Sequence, residues 1–289
     1  MKEKYYKEVS AEEMKRYREF LNTHRINRLE MDACSVLYYS GGRGEKTLLT
    51  FSGGHSGPEA AYETILRFED QFRIVVVDVS TFDHLDELND GVNRILEREG
   101  IGRVVVMGHS FSGFFAQAYL RRNRDRIDAM LLTNTPAPRR ERNQSAAFTL
   151  MRLIPFFVFK GLIKRKLGRL ARFEREVPSE ALEKLRLRMA LLMDYMDHRA
   201  TKKSIINVLK MIFEFNEKDE YGEGDFDDWG GRVLVITSED DPYFGDLEIF
   251  EKYLPDTESH ILPTGWKHIA PLVHKDEFHQ VIETFIDRL

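Results

Sequence analysis

The sequence predicts an α/β fold: a mostly parallel sheet with helices wound on both faces. Three observations predict it. Short β-branched, apolar runs recur at Thr47–Phe51, Arg73–Val79, Val104–Met107 and Ile127–Thr133. Segments of helical spacing separate them, giving the order β-α-β-α-β-α-β, and parallel strands need crossovers of this kind. The runs are continuously apolar rather than alternating, as strands covered on both faces are.

Before these runs, Ser10-Ala11-Glu12-Glu13 has the form of a capping box and opens a helix through about Leu21. Residues 26–39 alternate well enough for one or two strands closing on Val36–Tyr39, and Gly41-Gly42-Arg43-Gly44 reads as a turn. After Phe51, the stretch Ser52-Gly53-Gly54-His55-Ser56-Gly57 breaks the strand, and a helix begins near Pro58. Asp78 is placed to order the loop after its strand. Residues 84–99 read as a helix that Gly100-Ile101-Gly102 ends.

From Pro136 to Gly231 no strand signal occurs. Phe148–Ile163 is apolar, and a basic run follows through Lys164, Arg165, Lys166, Arg169, Arg172 and Arg175. Ser179–Met196 and Lys203–Phe215 have helical spacing, with Leu182, Leu185, Met189, Met193 and Met196 along one side as a packing stripe. The basic run reads as a solvated face. Beside an apolar segment it also suits contact with a membrane surface. Phe226–Trp229 and Gly230-Gly231 close the segment. Residues 1–135 and 232–289 are therefore expected to form the sheet core, and 136–231 a helical cap inserted into it. Strands resume at Val233–Thr237 and Ser259–Leu262, with a short helix from about Gly245 to Leu254 between them and a last helix running to Leu289.

The chain has 289 residues, 42% hydrophobic and 31% charged, which describes a globular protein with a large core. Its 43 Lys and Arg against 48 Asp and Glu give −5, which is no nucleic-acid signature. MKEKYYKEVS lacks the apolar core of a secretory signal, and no run of about 18 apolar residues could span a bilayer. One cysteine, Cys34, forms no internal disulfide and is expected in the core. The expected compartment is the cytoplasm.

The chemistry centres on Val104-Val105-Val106-Met107-Gly108-His109-Ser110-Phe111-Ser112-Gly113. A strand that passes straight into a helix cramps the backbone at its apex, and the neighbours must be small. Gly108, Ser112 and Gly113 meet that need. The turn projects the Ser110 hydroxyl from the sheet edge and sets the Phe111 amide at a helix N-terminus, where negative charge is stabilised. Gly53-Gly54 lets a second backbone bend and expose amides, and Gly54 is the best donor candidate for the other half of an oxyanion hole. His55 beside it either lines the site or caps the next helix. Asp241 follows a strand and precedes Pro242, and His268 lies in a loop after the last strand. Serine needs a base of near-neutral pKa, and the base needs a carboxylate to fix its tautomer. His268 and Asp241 suit those roles. His109 precedes the serine and is expected to point away from it, though like Trp266 it could line a pocket. His260 lies in a strand, and His274 and His279 lie on the last helix. No cluster has metal-ligand spacing and no phosphate-binding glycine loop opens a first βα unit, so no cofactor is expected.

Together the Gly108–Gly113 elbow, the Ser52-Gly53-Gly54 turn, the Glu239-Asp240-Asp241-Pro242 loop and the His268 loop resemble the α/β-hydrolase superfamily, from about residue 35 to the end. The resemblance implies an eight-stranded, mostly parallel sheet with a helical lid after strand six. It implies Ser110 as nucleophile, Asp241 as acid, His268 as base, and Phe111 and Gly54 as oxyanion donors. Ser112 and Ser52 depart from the family pattern, and Trp266-Lys267 separate Gly265 from His268. The expected activity is hydrolysis of a small to medium apolar carboxylic ester through an acyl-enzyme, with amide, thioester, peptide or C–C bond cleavage by the same triad left open. The run from Gly57 to Gln117 is also similar to maspardin-like members, through Phe82-Asp83-His84-Leu85 and Gly113-Phe114-Phe115-Ala116-Gln117. Those members are regarded mainly as binding proteins, which implies a second reading: a non-catalytic adaptor or ligand-binding protein.

Overall fold

Alternation along the strands sends side chains to both faces of one sheet, and the helices cover those faces. The computed structural model describes residues 3–32, 34–53, 56–139, 153–170 and 177–289. Eight strands form the sheet: β1 (Ile26–Glu30), β2 (Ser35–Gly42), β3 (Thr47–Phe51), β4 (Arg73–Val77), β5 (Val104–His109), β6 (Ile127–Thr133), β7 (Arg232–Ser238) and β8 (Thr257–Leu262). Their spatial order is β1-β2-β4-β3-β5-β6-β7-β8. β2 runs antiparallel to β1 and β4, and all pairings from β4 through β8 are parallel.

The helices are α1 (Ala11–Thr23), α2 (Tyr62–Phe68), α3 (Leu85–Arg98), α4 (Ser112–Arg122) and α5 (Phe156–Leu170), then α6 (Ser179–His198), α7 (Lys202–Lys218), α8 (Leu247–Tyr253), α9 (Ala270–Val273) and α10 (Lys275–Ile286). On one face, Leu49, Val75, Val106, Met130 and Val235 pack against α3, α4, α7 and α8. On the other, Leu48, Ile74, Val105, Leu131 and Leu234 pack against α1, α2, α6 and α10. Parallel strands buried on both faces explain the unbroken apolar runs. Between β6 and β7 the described residues hold helices α5, α6 and α7 and no strand. α7 and the 219–231 segment join the first core: Met211, Phe215, Phe226 and Trp229 are all buried in it. Trp229 Nε1 donates to Ile127 O at 2.9 Å, tying that segment to β6.

Local expectations differ from the structure at four places. Ser10 caps α1 by accepting from Glu13 N at 3.2 Å, but the Glu13 carboxylate does not return to Ser10. It turns inward to Lys184 Nζ at 2.7 and 2.6 Å and accepts from the Tyr62 hydroxyl, while Ser10 N donates to Glu183 Oε2 at 2.9 Å. Gly41 and Gly42 are not a turn but the end of β2, paired with Ile74 and Arg73. A Cβ on Gly42 (φ +97°) would meet Phe72 O at 2.1 Å, so close backbone approach is what requires glycine there. The expected Leu–Met stripe of α6 is half-buried except at Met196, and the buried ridge is Ala181, Lys184, Leu187 and Ala190. Small alanines allow close approach, and Glu13 neutralises the lysine at the centre of the ridge. Finally, the C-terminal helix is broken into α9 and α10 at His274 and ends at Ile286. Cys34 is partly buried against the first core, and its thiol is pushed up to about 11 by burial and the nearby Glu87 carboxylate.

Candidate active site

The elbow between β5 and α4 is built by contacts that leave no room for side chains. Ser110 sits at φ 50°, a left-handed conformation that costs about 1–3 kcal/mol in a non-glycine residue. Three bonds hold it there: Ser110 N donates to Thr133 O at 2.8 Å, Gly113 N to Ser110 O at 3.1 Å, and Thr135 Oγ1 to Ser110 O at 2.7 Å. A Cβ on Gly108 would lie 2.5 Å from Gly113 Cα, and one on Gly113 would lie 2.1 Å from Thr135 Oγ1. Ser112, where the family pattern has glycine, is more than tolerated. Its Oγ accepts from His109 N at 2.8 Å and donates to His109 O at 3.0 Å, closing the turn.

Asp241 lies just past β7 and its side chain is fully covered. Its Oδ1 accepts from Tyr243 N at 2.8 Å. His268 lies in the loop after β8, 35% exposed at its side chain. His268 Nδ1 and Asp241 Oδ2 are 2.8 Å apart, and His268 Nε2 and Ser110 Oγ are 2.6 Å apart. A carboxylate only accepts, so Nδ1 carries the proton and Nε2 is left to accept from the serine hydroxyl. The Ser110, His268 and Asp241 side chains therefore form one hydrogen-bonded chain, drawn from three distant stretches of sequence.

Residues that the sequence did not single out hold this chain in place. Asp240 Oδ2 accepts from Gly265 N at 2.7 Å and Lys267 N at 3.2 Å, clasping the loop that carries His268. Burial acts to raise the Asp240 pKa, but these amide bonds outweigh it and hold the carboxyl below its ordinary range. Lys267 at φ 47° is the strained residue of that loop, and Ser238 Oγ donates to its carbonyl at 3.3 Å. Asn134, at φ 43° after β6, donates from Nδ2 to His268 O at 3.2 Å. Tyr243 meets the imidazole edge-on at 5.8 Å between ring centres. The Thr133-Asn134-Thr135-Pro136 run and the two adjacent carboxylates 240 and 241 were the available signals for this clasp.

His109 does not point away as expected. Its ring centre lies 5.6 Å from that of His268. Burial, then the charges of His268 and Arg188, drive its pKa well down, so it stays neutral beside His268. Phe111 opens α4 at helical angles (φ −61°, ψ −37°) and its ring packs on Phe114 and Phe115. Trp266 packs partly buried against the second core. Gly54 and His55 lie outside the described residues. Asp78 orders its loop by accepting from Ser80 N at 2.9 Å. A cavity of about 590 Å³ opens between α1, β1, β2 and the end of α6, lined by Tyr17, Leu37, Leu191, Tyr195 and Arg199 among others; neither Ser110, Asp241 nor His268 lines it. Among the described residues no group of three His, Cys, Asp or Glu side chains could hold a metal, and no helix is long and apolar enough to cross a membrane.

The model of the family described as the alpha/beta hydrolase fold matches residues 49–275. The chain belongs to that family. Solved structures share the architecture at low identity. A hydrolase from Pseudomonas aeruginosa PA01 superposes with a TM-score of 0.69 at 17% identity, over 91% of this chain and 98% of that one. A thermophilic esterase from Thermogutta terrifontis gives 0.67 at 18% identity, over 91% and 98%. An enol-lactonase from Burkholderia xenovorans LB400 gives 0.67 at 17% identity, over 90% and 100%. No curated protein matches the sequence. The eight-stranded, mostly parallel sheet with flanking helices and a helical insertion after β6 is the architecture that the resemblance to the α/β-hydrolase superfamily implied.

Proposed function

We propose that this α/β hydrolase is a serine hydrolase of carboxylic esters. The observation that carries the reading is the unbroken Ser110–His268–Asp241 hydrogen-bonded chain. Ser110 attacks the ester carbonyl while His268 Nε2 takes its proton, and Asp241 stabilises the imidazolium that forms. The neutral His109 adds no opposing charge beside that imidazolium. The amides of Phe111 and Gly54 receive the oxyanion, the first favoured by the N-terminus of α4. His268 returns the proton to the leaving alcohol. Water then attacks the acyl-Ser110 bond, with His268 again as base, and releases the acid. No cofactor is needed.

Several features support the substrate class. Serine at the elbow attacks carbonyl carbon, and two of the structural neighbours are named as an esterase and an enol-lactonase. Residues 136–231 are assigned to the cap, anchored in the two cores through α6, α7 and the 219–231 segment, and its apolar residues suit an apolar acyl or alcohol portion. His55, His109 and Trp266 are assigned to the pocket wall. A negatively charged chain with a single cysteine fits a cytoplasmic enzyme on a small-molecule ester rather than on nucleic acid.

The test is labelling by a fluorophosphonate probe together with turnover of short p-nitrophenyl esters. Labelling maps to Ser110, and Ser110→Ala loses both label and turnover. A protein that neither labels nor turns over would instead be a binding protein on the same scaffold, and undiminished turnover in Ser110→Ala would reject the assignment of the nucleophile.

A further inference from the structure

Helix α5 presents an uncovered apolar face. Phe157 is 77% exposed, Leu162 53% and Val158 40%, and Leu153 just before the helix is 75% exposed. Half of the large hydrophobic side chains exposed among the described residues fall in these ten positions, whereas the others are scattered singly. Residues 157, 158, 161, 162 and 165 share one side of a helix, and all five are exposed. The opposite side is seated on the fold: Lys160 Nζ pairs with Asp197 Oδ1 of α6 at 2.9 Å. The face is therefore a surface that the described residues leave open rather than a misplaced core.

Charge selects what covers it. The chain as a whole carries −5, yet between Arg142 and Phe173 there are eight Lys or Arg and no Asp or Glu. Arg165 lies on the apolar face itself and is exposed. Lys160 is engaged by Asp197, but an apolar helix face in a stretch of sequence whose charges are all cationic matches the boundary of an anionic bilayer, where the rings and leucines enter the acyl region and cations such as Arg165 meet phosphate and carboxylate headgroups. A second copy docked face to face would oppose two like-charged stretches. We infer that α5 docks this protein on a lipid surface bearing negatively charged headgroups. The inference does not depend on the ester hydrolase reading, because no residue of the Ser110 site enters it.

The experiment is flotation of the full-length protein with vesicles of phosphatidylcholine alone and with about 30 mol% phosphatidylserine. The expected result is flotation with the anionic vesicles only, reversed by about 0.5 M NaCl. Phe157→Asp with Leu162→Asp lowers the partition at least about tenfold while the thermal melt overlays that of the parent, since both side chains are exposed. If the double variant unfolds, Arg165→Glu decides, with a several-fold loss expected at low salt. The inference is overturned if the parent does not float with anionic vesicles or if the folded variants float as well as the parent. It is also overturned if sedimentation without lipid shows a dimer that the double variant returns to monomer.

Discussion

Replacing Asp241 by asparagine inverts the proton arrangement of the site, and the structure dictates how. The side chain is fully covered, and Tyr243 N donates to its Oδ1 at 2.8 Å. An asparagine must turn its carbonyl oxygen to that N–H, because the opposite rotamer sets donor against donor and costs about 1–3 kcal/mol. Its NH2 group then faces His268 Nδ1, 2.8 Å from the present Oδ2. Nδ1 has to accept, so the imidazole proton moves to Nε2, the atom 2.6 Å from Ser110 Oγ. A protonated Nε2 cannot take the serine proton. The loss expected for the wrong tautomer is about 10⁴-fold in kcat, which is about 5.5 kcal/mol of transition-state stabilisation. The assay is p-nitrophenyl ester turnover with purified protein, alongside the rate of fluorophosphonate labelling, which falls by a similar factor. The fold is retained, because the substitution removes a buried charge and keeps the Tyr243 bond. Turnover of Asp241→Asn within tenfold of the parent would refute the tautomer argument and, with it, the role of Asp241.

Other expectations are tested by stability and activity together. Gly113→Ala places a methyl 2.1 Å from Thr135 Oγ1, the donor to Ser110 O, so it lowers the melting temperature by an amount equivalent to about 1–3 kcal/mol and reduces ester turnover with it. Lys184→Met leaves the Glu13 carboxylate buried without its cation and costs about 3–5 kcal/mol in denaturant unfolding. Adding Glu13→Gln recovers part of that, since glutamine still accepts from Tyr62. His279 is lowered from 6.5 to about 4 by burial and then by Arg67, so the folded state disfavours its protonation. Its contribution is full above pH 6.5 and is lost as pH falls toward 4. His279→Phe therefore flattens the decline of melting temperature across that window, and an unchanged slope would exclude the effect.

What could be read from the sequence divides along chain distance. The Gly108–Gly113 elbow was legible because its steric demands are met by residues within five positions of Ser110, apart from the Thr135 wall. The strand runs were legible because burial on both faces leaves one composition. The clasp around His268 was not. Asp241 was singled out by its place before Pro242 and by the family resemblance, but nothing in the sequence sends its neighbour Asp240 to the loop amides. Asn134 reaches His268 O from 134 positions away. The buried ridge of α6 escaped a hydrophobic-periodicity reading because a lysine stands in it, and that lysine is acceptable only because Glu13 abandons its own helix cap. The two failures have one cause. A charged side chain takes its meaning from the partner it finds, and the partner is set by tertiary structure. Apolar and glycine positions, in contrast, declare their environment through size alone. The positions most open to sequence reading are thus those that shape the site, and the least open are the charged and polar groups that clasp its loops from a distance.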